Sequence, residues 1–159
     1  MTNAIEVGTV APNFSLTGDD GKVHTLEETG DTWTLLYFYP KDDTPGCTTE
    51  ACAIRDVYDE FVELGVTVFG VSKDTITSHQ AFKEKYNLPF TLLSDPDGEV
   101  AALYGAAPKK SWFRKGSVGF SRISFLIDPA GTIARVYPKV DPAAHAFEIL
   151  SDVRECMSA

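Results

Sequence analysis

Three short apolar runs recur along the chain, and their alternation with helical periodicity restricts the possible folds more than any other feature. Each run is rich in β-branched or aromatic residues and is bounded by turn residues. Runs of this length and composition are typical of buried strands. They are "WTLLYFY" at 33–39, "VTVFGVS" at 66–72 and "SFLID" at 124–128. We predict that they form the centre of a sheet.

Helical patterns fill the intervals after the first two runs. One pattern extends over 47–64, where apolar residues at steps of three or four mark a single face, and another extends over 75–86. The face residues of the first pattern are Ala51, Ile54, Tyr58 and Phe61. Strand and helix therefore alternate here, as in a βαβ unit.

The C-terminal part is predicted to begin with a hairpin and to end with a helix. The turn "DPAG" at 128–131 joins "SFLID" to "TIARVYP". Asp141 suits a helix cap and Pro142 suits the first helical position, so a closing helix is predicted over 141–156. A βαβ start with this ending predicts an α/β, thioredoxin-like fold, in which helices flank a central mixed β-sheet.

Length and composition favour one globular domain. The 159 residues, 43% of them apolar, contain no repeat, which predicts a single domain over 1–159. The apolar runs are far shorter than the roughly 20 residues of a membrane span. The start "MTNAIEVG" lacks the apolar region of a signal peptide. We therefore expect a cytoplasmic protein with no membrane partner.

The charge balance argues against a nucleic-acid partner. With 14 basic and 23 acidic residues, the formal net charge is −9, which repels phosphate backbones. One basic cluster departs from this balance, namely Lys109, Lys110, Arg114 and Lys115. We interpret it either as a solvated loop or as a docking site for an acidic redox partner.

The stretch "FYPKDDTPGCTTEACAIRD" at 38–56 places a cysteine where a strand gives way to a helix. Thr44 suits the N-cap and Pro45 the first helical position, so Cys47 falls third in the helix, among N–H groups that have no intrahelical acceptor. Free donors and the positive end of the helix dipole lower a cysteine pKa from about 8.5, and the thiolate is the nucleophilic form. Cys47 is therefore predicted to be an activated nucleophile.

Other interpretations of the cysteines fit the pattern less well. An isolated cysteine is usually a small buried apolar residue, and this interpretation suits Cys156. The three cysteines and the singly scattered histidines lack the spacing of a metal site, and the histidines lie in no protease motif. The spacing of Cys47 and Cys52 is CxxxxC and not the CxxC of a dithiol oxidoreductase. Neither a metal nor a cofactor is expected.

The segment "PKDDTPGCTTEACAIRD" resembles the peroxiredoxin active-site segment PxxxTxxC, with Pro40, Thr44 and Cys47 at the fixed positions. The longer match TPGCTxEAC, with Cys52 five residues after Cys47, resembles the bacterioferritin-comigratory-protein or peroxiredoxin Q subfamily. The similarity extends to "VGTVAPNFSLTGDDGKVHTL", "VTVFGVSKDT" and "SRISFLIDPAG" and so covers nearly the whole chain.

This resemblance implies an enzyme, a thioredoxin-dependent peroxiredoxin that reduces hydrogen peroxide and organic hydroperoxides. Cys47 would be the peroxidatic cysteine that becomes a sulfenic acid, and Cys52 the resolving cysteine that forms an intramolecular disulfide with it. Thr44 would contribute a hydroxyl to thiolate and peroxide, Pro40 a shield, and Arg122 a guanidinium that binds both. The implied reductant is thioredoxin or a similar dithiol, and the implied state is a monomer.

Three of the residues around this motif have more than one interpretation. Arg122 is either the guanidinium of the site, whose planar donors suit a thiolate and a peroxide together, or a surface residue before a strand. Glu50 either orients that Arg or favours the first turn of the helix electrostatically. Tyr39 either lines the pocket or packs in the core.

A function of a different class is also open. In a redox sensor, Cys47 and Cys52 would switch a partner surface without turnover. A peroxidase fed by thioredoxin and its reductase consumes many equivalents of peroxide, whereas a sensor stops near one.

The spacing of Cys47 and Cys52 limits how they could pair. On a regular helix, residues five apart have Cα atoms about 9 Å apart. A disulfide rarely tolerates more than about 7 Å. If the two cysteines pair during the reaction, the first turns of the helix must therefore unwind on each cycle.

Overall fold

The computed structural model describes residues 5–107 and 119–158, so the basic cluster at 109–115 lies outside the described residues. The strands are β1 (Ser15–Gly18), β2 (Val23–Thr25), β3 (Trp33–Phe38), β4 (Val66–Ser72), β5 (Thr91–Ser94), β6 (Ile123–Ile127) and β7 (Ile133–Tyr137). The helices are α1 (Pro45–Asp56), α2 (Tyr58–Glu63), α3 (Ile76–Tyr86), α4 (Glu99–Tyr104) and α5 (His145–Ser158), with a 3-10 turn at Glu27–Thr29.

The described strands form one seven-stranded sheet in the order β2-β1-β5-β4-β3-β6-β7. Strand β4 is parallel to both of its neighbours, β3 and β5, and the other pairs are antiparallel. The three apolar runs of the sequence are β4, β3 and β6, which lie side by side within the sheet. The predicted central strands, the hairpin of β6 and β7 and the helix over 75–86 are confirmed.

Side chains of β3 alternate between two apolar cores, one on each face of the sheet. Leu35 and Tyr37 belong to the core that includes residues of α1, α3 and α5. Leu36 and Phe38 belong to the core that includes residues of α4. All four side chains are at most 1% exposed. Burial on both faces explains why this strand has a continuous apolar sequence.

The single helix predicted over 47–64 is wrong, because the chain forms two helices there. Helix α1 begins at Pro45, as the Thr44 and Pro45 signals indicate, and ends before Val57. Val57 leaves the helical conformation, with φ −119° and ψ 19°, and its N–H bonds to the carbonyl of Ile54, three residues back. A β-branched side chain loses rotamer freedom in a helix, which lowers the cost of a break at this residue.

The closing helix begins four residues later than predicted. Asp141 does bind backbone donors, because its side chain accepts the N–H of Ala143 and its carbonyl accepts the N–H of His145. Residues 142–144 nevertheless form a turn, and α5 starts at His145. Asp141 therefore binds donors of the turn at 142–144, and the prediction that Pro142 is the first helical residue is wrong.

Several short elements have no counterpart in the sequence predictions. Strands β1, β2 and β5 have three or four residues each, and α4 has six. Elements of this length do not complete enough of a period to give a pattern. Among the described residues, no helix combines the length and the apolar character that crossing a membrane would require.

A buried polar cluster fixes the loop between β3 and α1. The Asp42 carboxylate accepts hydrogen bonds from the Tyr39 hydroxyl at 2.6 Å and the Ser78 hydroxyl at 2.8 Å, and it lies 2.7 Å from Nδ1 of His79. The Asp42 N–H donates to the Asp74 carboxylate at 2.9 Å. Tyr39 is therefore part of the core, and the loop that leads into α1 is held against the start of α3.

Candidate active site

Cys47 is the third residue of α1, beyond the carboxyl end of β3, and its side chain is 1% exposed. Thr44 occupies the N-cap with an extended backbone, φ −97° and ψ 156°, and Pro45 follows as the first helical residue. The predicted placement of these three residues is confirmed. It puts the sulfur in the first turn, where the helix dipole is positive.

The Thr44 hydroxyl does not cap this helix. It donates instead to the carbonyl of Lys41 at 2.8 Å, a local bond that threonine often makes with nearby backbone. Among the described residues, the N–H groups of Gly46 and Cys47 consequently have no hydrogen-bond partner. The expected contact of the hydroxyl with the sulfur is likewise not present. Two backbone donors therefore remain available next to Cys47.

Arg122 reaches Cys47 because β6 pairs with β3. The register places Ile123, the first residue of β6, opposite Phe38, the last residue of β3. Arg122 immediately precedes β6 and so lies beside the loop that leads to Cys47. Its Nη2 donates to the Cys47 Sγ at 3.4 Å, although the two residues are 75 positions apart in sequence.

Glu50 binds the other side of the same guanidinium. Nη1 of Arg122 donates to Oε1 of Glu50 at 2.9 Å. The Glu50 side chain is fully buried, and within the described residues its Oε2 has no hydrogen-bond partner. Burial raises the pKa of Glu50 to about 7, against the opposing effect of Arg122. Of the two interpretations of Glu50, the contact supports the one in which it orients Arg122.

The Arg122 guanidinium therefore contacts two acidic groups, the Cys47 thiol and the Glu50 carboxyl. Burial lowers the pKa of Arg122, but the charges of Cys47 and Glu50 outweigh burial, and the pKa is raised overall. Nearby, the hydroxyl of Tyr37 is buried, and its pKa is raised well above the usual range by burial and then by the charges of Glu50 and Cys47. Tyr37 thus stays neutral, and Arg122 stays charged.

Two glycines allow the close approaches that assemble the site. A Cβ on Gly46 would lie 2.8 Å from Nη2 of Arg122, the atom that contacts the sulfur. A Cβ on Gly119 would lie 2.1 Å from the carbonyl oxygen of Pro40. Pro40 thus packs against the segment that carries Arg122. Neither close approach is predicted by the sequence, because the need for a missing side chain is visible only when the approaching partner is known.

The remaining cysteines are free, half-buried thiols. Cys52 lies on α1, five residues after Cys47 and within the same continuous helix. Cys156 lies near the end of α5. Cys52 is thus the second thiol carried by the helix that bears Cys47.

The chain is similar to proteins of one known family over most of its length. A family model described as the AhpC/TSA family matches residues 7–136. The chain is 50% identical over 147 residues to a putative peroxiredoxin bcp from Coxiella burnetii, with 92% of this chain and 97% of the relative covered. It is 43% identical over 154 residues to peroxiredoxin Bcp from Bacillus subtilis, covering 95% of this chain and 98% of the relative.

Solved structures are similar over the same extent. Peroxidoxin BcpB from Mycobacterium tuberculosis has a TM-score of 0.86 and 32% identity, covering 95% of this chain and 97% of the other. The bacterioferritin comigratory protein of Xanthomonas campestris, for which an alkyl peroxide reduction activity is described, has a TM-score of 0.85 and 32% identity. That alignment covers 97% of this chain and 99% of the other.

The Glu50 carboxyl predicts a pH dependence of stability. Its pKa of about 7 in the folded protein lies above the ordinary value of 4.5, so the folded state binds the proton more strongly than the unfolded state. The free energy of unfolding should therefore fall as the pH rises from 4.5 to about 7. Glu50→Gln should lack the decrease in the free energy of unfolding that Glu50 causes, on the order of 3 kcal/mol.

Denaturant unfolding of the reduced protein at both ends of this pH range measures the difference. Glu84→Gln, at an exposed carboxyl on α3, is the matched control and should keep the fall of the parent. If Glu50→Gln loses as much stability as the parent over this range, Glu50 does not bind the extra proton.

Proposed function

We propose, from the premise that this chain belongs to the AhpC/TSA family and is a thiol-dependent peroxidase of the peroxiredoxin kind, that Cys47 is the residue that reduces the hydroperoxide. The thioredoxin-like fold predicted from the sequence is confirmed by the similarity to peroxiredoxin structures. One observation carries the assignment of Cys47, namely the 3.4 Å contact of its sulfur with Arg122 in the first turn of α1.

The first step transfers one oxygen atom to the sulfur. The Cys47 thiolate attacks the terminal oxygen of the hydroperoxide, and the O–O bond breaks as the S–O bond forms. The leaving oxygen departs with the electron pair and takes up a proton, which gives water or an alcohol and leaves Cys47 as a sulfenic acid. Arg122 and the free N–H groups of Gly46 and Cys47 are the donors that would stabilise the negative charge as it moves onto the peroxide oxygens.

The bond that Thr44 makes limits its role in this step. A hydroxyl has one hydrogen to donate, and Thr44 donates that hydrogen to the carbonyl of Lys41. Towards a substrate, its oxygen therefore acts as an acceptor. We assign Thr44 to binding the O–H of the hydroperoxide, which orients the terminal oxygen towards the sulfur. Pro40, held against Gly119, is assigned to shielding the sulfur from water.

The second step joins Cys47 to Cys52. The Cys52 thiolate attacks the sulfenic sulfur, so that the S–S bond forms as the S–O bond breaks, and the oxygen leaves as hydroxide and takes up a proton from solvent to give water. Both cysteines lie within α1, where a separation of five residues corresponds to about 9 Å between Cα atoms. The first turns must therefore unwind, and their residues Gly46, Thr48 and Thr49 are poor helix formers that make unwinding easier.

The third step regenerates both thiols. The substrates are hydroperoxides and the reductant is of the thioredoxin type, since the chain belongs to the peroxiredoxins. We propose thioredoxin itself or a similar dithiol, which gives up two electrons and two protons to the disulfide. The alkyl peroxide activity of the Xanthomonas campestris protein supports organic hydroperoxides as well as hydrogen peroxide. A single domain over 1–159, a monomeric state and a cytoplasmic location stay predictions.

The contact with Arg122 predicts the rate of the first step. Arg122→Ala should slow sulfenic acid formation by about 10²–10³, because a charge-assisted donor to the reacting atoms is lost. The rate of Arg122→Lys should lie between those of the parent and Arg122→Ala, since one ammonium cannot bind the sulfur and the carboxylate together as the planar guanidinium does. Rapid mixing of the reduced protein with peroxide measures this rate, and Arg135→Ala, on β7, is the control. An unchanged rate in Arg122→Ala would mean that another group supplies the charge.

The spacing of the cysteines predicts the product of oxidation. Peroxide should give an intramolecular Cys47–Cys52 disulfide with loss of helical circular dichroism, and thioredoxin should restore the signal. Cys52→Ser should stop at the sulfenic acid and overoxidise readily, whereas Cys156→Ser should behave like the parent. Peptide mapping and dichroism test this, and a bridge to Cys156 or an unchanged helix signal would contradict it.

The same preparation separates an enzyme from a sensor. With thioredoxin and its reductase supplied, a peroxidase consumes many equivalents of peroxide per protein, and a sensor stops near one.

A further inference from the structure

We propose that Tyr86, the last residue of α3, restrains the opening of α1 that precedes disulfide formation: it binds both ends of the segment 44–54 and restricts unwinding to that segment. The proposal rests on the Cys47–Cys52 disulfide proposed above. It concerns how far the chain opens after the peroxide has reacted, and not the reaction with peroxide itself.

The first contact is made just before the segment. The Tyr86 hydroxyl donates to Oδ1 of Asp43 at 2.8 Å, and Lys85 Nζ lies 2.8 Å from Oδ2 of the same carboxylate. Asp43 has a left-handed backbone, with φ 56°, directly before the helix cap Thr44. This conformation is uncommon for a residue other than glycine, so the carboxylate contacts help to hold a sharp turn at the entrance to α1.

The second contact is made just after the segment. Nη1 of Arg55 donates to the backbone carbonyl of Tyr86 at 2.8 Å. The last carbonyls of a helix have no partner within the helix, and the negative end of the helix dipole attracts a guanidinium. Asn87 ends α3 in the left-handed conformation, with φ 53°. Arg55 thus satisfies a carbonyl that α3 leaves free, and it fixes α1 three residues beyond Cys52.

The Tyr86 side chain is itself well fixed. Its ring packs edge-on against Phe82, with the ring centroids 5.5 Å apart, and it is half-buried at the border of the core. Both contacts therefore start from a residue that does not need to move when α1 unwinds. The polar cluster around Asp42 holds the chain on the far side of Asp43 in the same way.

Between the two contacts, α1 has few polar links to the other described residues. Arg122 binds Cys47 and Glu50, and the sulfur contact is altered once Cys47 carries an oxygen. A segment whose ends remain tied gains less conformational freedom on unwinding than one with a free end. Tyr86 therefore opposes opening and keeps it local, so that Cys47 moves to Cys52 while Cys52 stays near its original position.

The test separates the two chemical steps in the full chain. Tyr86→Phe removes the hydroxyl and keeps the packed ring. It should speed disulfide formation by about threefold to tenfold, the effect of losing one hydrogen bond that closes the segment. Sulfenic acid formation should keep its rate, and the fraction of Cys47 overoxidised at a given peroxide concentration should fall by a similar factor. Rapid mixing with hydrogen peroxide, alkylation of free thiols and mass spectrometry report all three.

Two variants serve as controls. Tyr137→Phe removes a comparable Tyr–Asp hydrogen bond, 2.6 Å long, to Asp152 between β7 and α5. It should leave both rates unchanged, which separates the proposed role from a general loss of stability. Asp43→Asn keeps an oxygen acceptor for Tyr86 and a side chain that tolerates the left-handed backbone but loses the charge that binds Lys85, so its acceleration should be smaller than that of Tyr86→Phe.

Each result decides between the proposals. If the parent forms the Cys47–Cys52 disulfide and Tyr86→Phe forms it at the same rate or more slowly, the role of Tyr86 is wrong and the proposed function stands. An equal acceleration in Tyr137→Phe would also overturn the role of Tyr86. If the parent forms no such disulfide, the proposed second step is wrong and the inference on Tyr86 fails with it.

Discussion

The contact of one guanidinium with a sulfur and a carboxyl is the interaction on which the rest of the site depends. Arg122 approaches Cys47 from the strand that pairs with β3, while Glu50 holds the guanidinium from inside the same helix that carries Cys47. The pairing of β6 with β3 thus fixes the position of Arg122, and helix α1 fixes the positions of Cys47 and Glu50. Because Glu50 is fully buried, the site holds a second acidic group that competes with Cys47 for one positive charge. Proton binding by Glu50 relieves that competition.

This contact also creates opposing demands on α1. In the proposed mechanism, reaction with peroxide requires the first turn to be intact, because the helix end and Arg122 act on the sulfur together. Disulfide formation requires the same turn to unwind, since Cys47 and Cys52 are too far apart on a regular helix. The sequence reconciles these demands by placing weak helix formers at the start of α1 and fixed residues at Asp43 and Arg55 around it. Helix propensity is therefore low in the turns that must unwind before the proposed disulfide can form.

Much of the fold and the position of Cys47 in α1 could be predicted from local patterns. The apolar composition of the runs that form β3, β4 and β6 indicates that these strands are buried. Pro45 marks the start of α1 because the first turn of a helix tolerates a residue without an N–H. Once the start of α1 is known, Cys47 is its third residue. The strands, the start of α1 and the place of Cys47 in its first turn could be predicted because each depends on neighbouring residues alone.

The predictions that failed or were missing concern choices of partner in the folded chain. Thr44 is a sound N-cap by type, but its hydroxyl bonds to Lys41, which the sequence does not indicate. Val57 carries no breaker signal, yet the helix ends there. The contact of Arg55 with the carbonyl of Tyr86 joins two helix ends that come together only in the folded chain. Partners that are distant in sequence leave no local pattern, so the structure was needed to find them.

Hydrogen exchange of the reduced and the peroxide-treated protein, read peptide by peptide, tests the central claim most directly. The account predicts that the backbone amides of 48–52 lose protection when the Cys47–Cys52 disulfide forms and regain it on reduction. Amides of β3, β4 and α3 should keep their protection in both states, because they lie outside the segment that unwinds. A Cys47–Cys52 disulfide formed with full protection over 48–52 would contradict the account, as would a loss of protection that spreads through the sheet.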